Sequence, residues 1–157
     1  MTQQTDDAGA QLSAAIRDAV PGADRGTVEL ITAVVGLLAA VAYADRTVSK
    51  EEATHLRAEI GRINGLDAQG IEAVAHVLEN QALRLSTAYV PRFTRTLREE
   101  ASEETRMEVL QALLGMAAAD GSITFDEVAQ LRNMTTALGL GQQHYNALQA
   151  RHRDLLR

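Results

Sequence analysis

Ala117-Ala118-Ala119-Asp120-Gly121-Ser122-Ile123-Thr124-Phe125-Asp126-Glu127 ends one apolar helix, turns, and starts an amphipathic one. The stretch governs the architecture, because the chain carries it twice. The earlier copy is Ala42-Tyr43-Ala44-Asp45-Arg46-Thr47-Val48-Ser49-Lys50-Glu51-Glu52, and Asp45 and Glu52 each lie 75 residues before Asp120 and Glu127 (120 minus 45, 127 minus 52). In both copies a Ser or Thr is followed three residues later by Glu, the capping-box spacing that opens a helix. The chain therefore reads as two repeated helix-loop-helix units.

Outward from these loops the apolar residues recur at helical spacing. Leu30, Val34, Leu37, Leu38 and Val41 mark the central helix of the first unit, with Thr27 as its expected cap; Ser49 opens the next, through Leu56, Ile60 and Ile63. Asp67 caps a helix through Ile71, Val74 and Leu78. Residues 83–101 form a further helix in which Pro91 fits only near a first turn or at a kink, since proline has no backbone N–H. In the second unit Ser102 caps a helix through Leu110, Leu113 and Leu114. Thr124 opens one through Val128, Leu131, Met134 and Leu138, Gly139 ends it, and a last helix runs from Gln142 to Leu155. Leu38, Leu56, Leu113 and Leu131 sit at core positions.

No stretch alternates like a strand, and the shortage of aromatic residues also favours helix. The expected architecture is all-α: a compact bundle of seven to eight helices. Residues 1–9 read as a disordered polar tail, and residues 10–157 as one helical domain whose first helix, Ala10 to Val20, packs as a lid.

Composition narrows the function. With no cysteine, disulfides, thiolate metal sites and cysteine nucleophiles are excluded. A formal charge of −6 argues against nucleic-acid binding, which needs concentrated Lys and Arg. Met1 to Ala10 has no basic-then-apolar pattern, and the run Leu30 to Ala44 is shorter than the roughly 20 residues of a spanning helix, so the expectation is a cytoplasmic chain with no transmembrane segment.

Asp45 and Asp120 follow the C-terminal ends of apolar helices, where the macrodipole disfavours a carboxylate. Two accounts are open. Asx-turns and capping boxes explain the acids without a ligand; alternatively Asp45, Glu52, Asp120 and Glu127 present oxygen to a divalent cation such as Ca²⁺ or Mg²⁺. The second loop is not an EF-hand: Asp120, Gly121, Ile123 and Glu127 match its fifth, sixth, eighth and twelfth positions, but its first and third would be Met116 and Ala118.

Arg84, Arg92, Arg95 and Arg98 form a basic series with no acid between Gln81 and Arg98. It reads either as a patch for an anion or partner, or as a solvated face balanced by Glu99, Glu100, Glu103 and Glu104. His55, His76, His144 and His152 lack zinc-ligand spacing, and no nucleophile elbow or glycine-rich phosphate loop is present. The chain is expected not to be an enzyme.

Ala-Asp-Gly-Ser-Ile-Thr-Phe-Asp-Glu after an apolar helix, preceded by its Ala-Asp-x-x-Val-Ser-x-Glu-Glu copy, resembles the TerB-like family of tellurite-resistance proteins, related to the N-terminal domain of the co-chaperone DjlA. The resemblance spans about Thr27 to Leu148. It implies a helical bundle that acts in tellurite and other stress responses through protein partners. It also implies metal binding, to Ca²⁺, Mg²⁺ or Zn²⁺, by the acids at Asp45, Glu52, Asp120 and Glu127. Arg46, where the family has glycine, weakens that implication for the first loop. Neither the partner nor the oligomeric state follows from the sequence.

Overall fold

The computed structural model describes residues 8–44, 48–63, 66–81, 84–85, 88–119 and 121–155. Among them the chain forms eight α-helices and no strand: α1 (Ala8–Ala19), α2 (Arg25–Ala42), α3 (Lys50–Gly61), α4 (Ala68–Asn80), α5 (Val90–Glu100), α6 (Glu103–Ala117), α7 (Phe125–Ala137) and α8 (Gln142–Gln149). A 3₁₀ segment, Ala150–Leu155, follows α8 and takes the place of that helix's expected last turns.

The bundle is built around α2. Val35 to Ala42 are buried on every side, as expected of a helix that is apolar all round, and α2 touches α1, α3, α5 and α6. By length and composition alone α2 could cross a membrane; here its apolar surface lies against four neighbouring helices. The expected core residues Leu38, Leu56, Leu113 and Leu131 are all buried, each burial contributing about 1.5–3 kcal/mol before the entropy of ordering is subtracted. The first helix begins two residues earlier than expected. Ala8 and Leu12 are wholly buried and α1 packs along α2 and α4, so it belongs to the core and is more than a lid.

Most caps follow the expected chemistry. Asp67 Oδ1 accepts the Gly70 N–H at 2.8 Å, and Ser102 Oγ accepts the Thr105 N–H at 3.1 Å. The cap of α2 is Asp24, however, and not Thr27. Asp24 Oδ1 accepts the Thr27 N–H at 2.8 Å, a bond that also holds its carboxyl below the usual carboxylate range. With Asp24 as the cap the helix starts at Arg25, three residues earlier than a cap at Thr27 would start it. Pro91 sits in the first turn of α5, where its missing N–H costs nothing; the helix starts at Val90 and not at 83, with Arg84, Leu85, Ala88 and Tyr89 outside it.

At the end of α7, Gly139 has φ +74°, Gly139 N–H donates to Thr136 and Leu140 N–H to Thr135. This is a Schellman termination, which requires a left-handed residue and so favours glycine. Between α3 and α4, Arg57 reaches both Glu72 (Nε to Oε1, 2.9 Å) and Glu79 (Nη2 to Oε1, 3.2 Å).

Candidate functional site

Each acidic loop delivers its glutamate to a capping box. Glu52 Oε1 accepts the Ser49 N–H at 3.1 Å while Ser49 Oγ accepts the Glu52 N–H at 3.0 Å. In the second loop Glu127 Oε1 accepts both the Thr124 N–H (2.9 Å) and its hydroxyl (3.0 Å), and Thr124 Oγ1 accepts the Glu127 N–H (3.2 Å). Glu52 is 5% exposed, so its carboxylate is held by the helix start it closes. Gly121 takes φ +91° and its N–H donates to Ala118, the left-handed turn that ends the α6 region. Asp45, Arg46 and Asp120 lie outside the described residues. Among the described residues no cluster of three or more His, Asp or Glu side chains could hold a metal ion.

The arginine series is divided by the fold. Arg95 and Arg98 line a groove of about 720 Å³ between α5 and α7, opposite Gln130 and Asn133, over an apolar floor of Val90, Met134 and Ala137. Arg92 stands over the Tyr89 ring (5.7 Å to its centroid) and lines separate depressions, with Glu29 on their walls. Arg84 is exposed and does not line the groove. Thus two members of the series share a concave site and two do not.

Helix α5 presents Arg95 and Arg98 outward because its other face carries Phe93, Thr94 and Leu97 into the core. Both arginines are exposed, and among the described residues neither has a carboxylate within 4.0 Å. Among the described residues the groove lining contains no acid, in a chain with 21 acidic residues.

Arg106 fixes the angle between the two walls. From α6 its Nη1 donates to the Leu138 carbonyl at 2.7 Å, at the end of α7, and its Nε donates to the Ala101 carbonyl at 3.2 Å, at the end of α5. A single guanidinium thereby satisfies a carbonyl at each of two helix ends, where the macrodipole also favours a cation. Its Nη1 lies 2.8 Å from where a Cβ on Gly139 would stand.

On the α7 wall, Gln130 Nε2 donates to the Ala40 carbonyl at 3.4 Å, which sets the amide orientation and leaves Oε1 buried without a partner. Sequence reading missed Gln130, Asn133 and Arg106. Nothing local distinguishes them; only the approach of α5 to α7 gives them a role.

The histidines stay dispersed. His144 Nδ1 accepts the Gly141 N–H at 3.2 Å, which places its remaining proton on Nε2, 3.7 Å from Glu103. His55 differs in that its Nε2 is buried, 3.5 Å from Glu59 Oε1.

Neither a curated protein nor a solved structure matches the chain. The sequence model of the tellurite resistance protein TerB family does match it, over residues 31–150, from within α2 to the start of the final 3₁₀ segment. That stretch holds both capped loops, Arg106 and the α5/α7 groove. An all-helical bundle with these paired loops, matched over most of its length, is a member of the TerB family.

Proposed function

We propose that this chain is a non-enzymatic, cytoplasmic interaction module that serves a stress response by docking a protein partner in the α5/α7 groove. The observation that supports it most is the groove's composition: Arg95 and Arg98 on the rim, an apolar floor, and no acid among the described lining residues, on a chain of formal charge −6. A concave, mostly apolar site with few polar groups is where binding is expected. The test is affinity capture from the source cells with the parent chain and with Arg95→Glu/Arg98→Glu. Partners that depend on the groove are retained by the parent and lost from the double variant. Identical partner sets would contradict the reading.

A second reading is a divalent-cation binder or sensor using Asp45, Glu52, Asp120 and Glu127. It is supported by the way both capping boxes hold a glutamate carboxylate against the loop that carries the aspartate. The same bonds serve the helix starts, so the caps need no ion. Native mass spectra with Ca²⁺, Mg²⁺ or Zn²⁺, for the parent and Glu127→Gln, separate the readings: a stoichiometric ion lost in the variant supports the binder, and its absence from the parent removes it.

A further inference from the structure

We infer that the occupant of the α5/α7 groove is an acidic amphipathic segment of a partner protein, its apolar residues on the groove floor and its carboxylates against Arg95 and Arg98. This rests on the docking reading above and adds the chemistry of the docked chain. Charge complementarity favours this occupant. Arg95 and Arg98, on the groove, belong to residues 82–98, a stretch with four arginines and no acid, whereas the rest of the chain is strongly acidic. An acidic partner is repelled by the net charge of that remainder and attracted by the groove rim, which orients encounter as well as binding.

Among the described residues the two guanidiniums have no carboxylate within 4.0 Å, so a docked carboxylate displaces no ion pair there. Between them and α7 the floor offers Val90, Met134 and Ala137, of which Val90 and Ala137 remain partly exposed. An anion without apolar surface would leave that floor wet, and an apolar chain without acids would leave the arginines unused. An amphipathic segment with apolar residues at helical spacing uses both, as in other helix-in-groove recognition. Asn133 stands exposed on the α7 side and supplies a donor and an acceptor for polar groups along the same segment.

Fluorescence anisotropy on the full chain tests this with a labelled peptide of leucine and glutamate at helical spacing, and with the same peptide carrying lysine for glutamate. Vesicles of phosphatidylglycerol form a third arm. The glutamate peptide is expected to bind saturably, about tenfold or more weakly to Arg95→Glu/Arg98→Glu, and more weakly as salt rises, because both arginines are exposed. The lysine peptide is expected not to bind the parent. A second variant, Asn133→Trp, fills the groove without changing charge and is expected to weaken binding as well; unchanged thermal melting of both variants excludes misfolding. Binding unaffected by either variant, or equal binding of the lysine peptide, overturns the inference. Vesicle binding that depends on the arginines, without peptide binding, reassigns the groove to a membrane surface and also overturns it. If affinity capture finds a groove-dependent partner that the glutamate peptide fails to displace, the acidic segment is wrong while the docking reading stands. If capture finds no such partner, the docking reading itself fails.

Discussion

The Phe93 ring lies where a Cβ on Gly36 would have to be, so α5 seats its aromatic side chain directly against the backbone of the central helix α2. This contact is part of the α2/α5 interface that fixes the wall carrying Arg95 and Arg98. Glycine inside a helix is normally a weakness that alanine repairs by about 1 kcal/mol. Here the sign reverses. Gly36→Ala is expected to destabilise by about 1–3 kcal/mol, because the phenyl ring must move within a packed core. Chemical denaturation checks it, and a more stable variant would show that Phe93 has room to shift.

Leu131→Ala is expected to cost about 2–5 kcal/mol. Leu131 is fully buried on α7, and neighbours that relax only in part leave a cavity. A denaturation midpoint equal to the parent's would contradict the burial.

Arg106 ties α5 and α7 through one guanidinium, and its carbonyl partners lose their bonds in Arg106→Met. Charge-assisted bonds of this kind contribute about 1.5–3 kcal/mol each, so a loss of that order is expected even though methionine preserves the packing of the stem. Hydrogen exchange should increase at the ends of α5 and α7 and not in α1. Uniform exchange throughout the chain would deny Arg106 this local role.

The capping boxes make opposed predictions for their two members. Thr124→Ala removes the acceptor of the Glu127 N–H and is expected to cost about 1 kcal/mol. Glu127→Gln keeps a side-chain oxygen for the Thr124 N–H and is expected to change stability by less than about 0.5 kcal/mol. Titration calorimetry and melting temperature with and without Ca²⁺ or Mg²⁺ extend the test: an ion-dependent shift that Glu127→Gln abolishes gives the carboxylate a role beyond capping.

Glu72 is held below the usual carboxylate range, first by its hydrogen bond from Arg57 and then by the guanidinium charge. With a folded-state pKa below the unfolded one, the contribution is present above the ordinary glutamate pKa and is lost as pH falls through the depressed value. Glu72→Gln should therefore lower stability near neutrality and flatten the acid limb of the melting-temperature profile. Parallel profiles for parent and variant would mean that solvent screens the pair completely.

The helices were legible because their signals are local. The Ser49, Asp67, Ser102 and Thr124 caps and the spacing around Leu38, Leu56, Leu113 and Leu131 each lie within a few turns of chain. The same locality misplaced the start of α2, since Asp24 and Thr27 are both good caps and only the fold chooses. The two loop-and-cap units also make a testable symmetry claim: α2 with α3 should superpose on α6 with α7, bringing Glu52 onto Glu127. Divergent crossing angles would deny it. The groove was only half legible. Its arginines stand out as a run without acids, but their separation from Arg92, and the contributions of Gln130 and Arg106, depend on contacts spanning tens of residues, such as Arg106 to Leu138. Periodicity carries no such information.

The proposed docking of a partner between α5 and α7 is open to direct test. A photo-crosslinking amino acid placed at Asn133, in the exposed groove wall, tests it in the source cells, with Lys50 beside the first acidic loop as the comparison position. The account predicts a discrete crosslinked species from position 133, absent from position 50 and abolished when Arg95→Glu/Arg98→Glu is added. Crosslinking that arises equally from position 50, or that persists after the charge reversal, would contradict it.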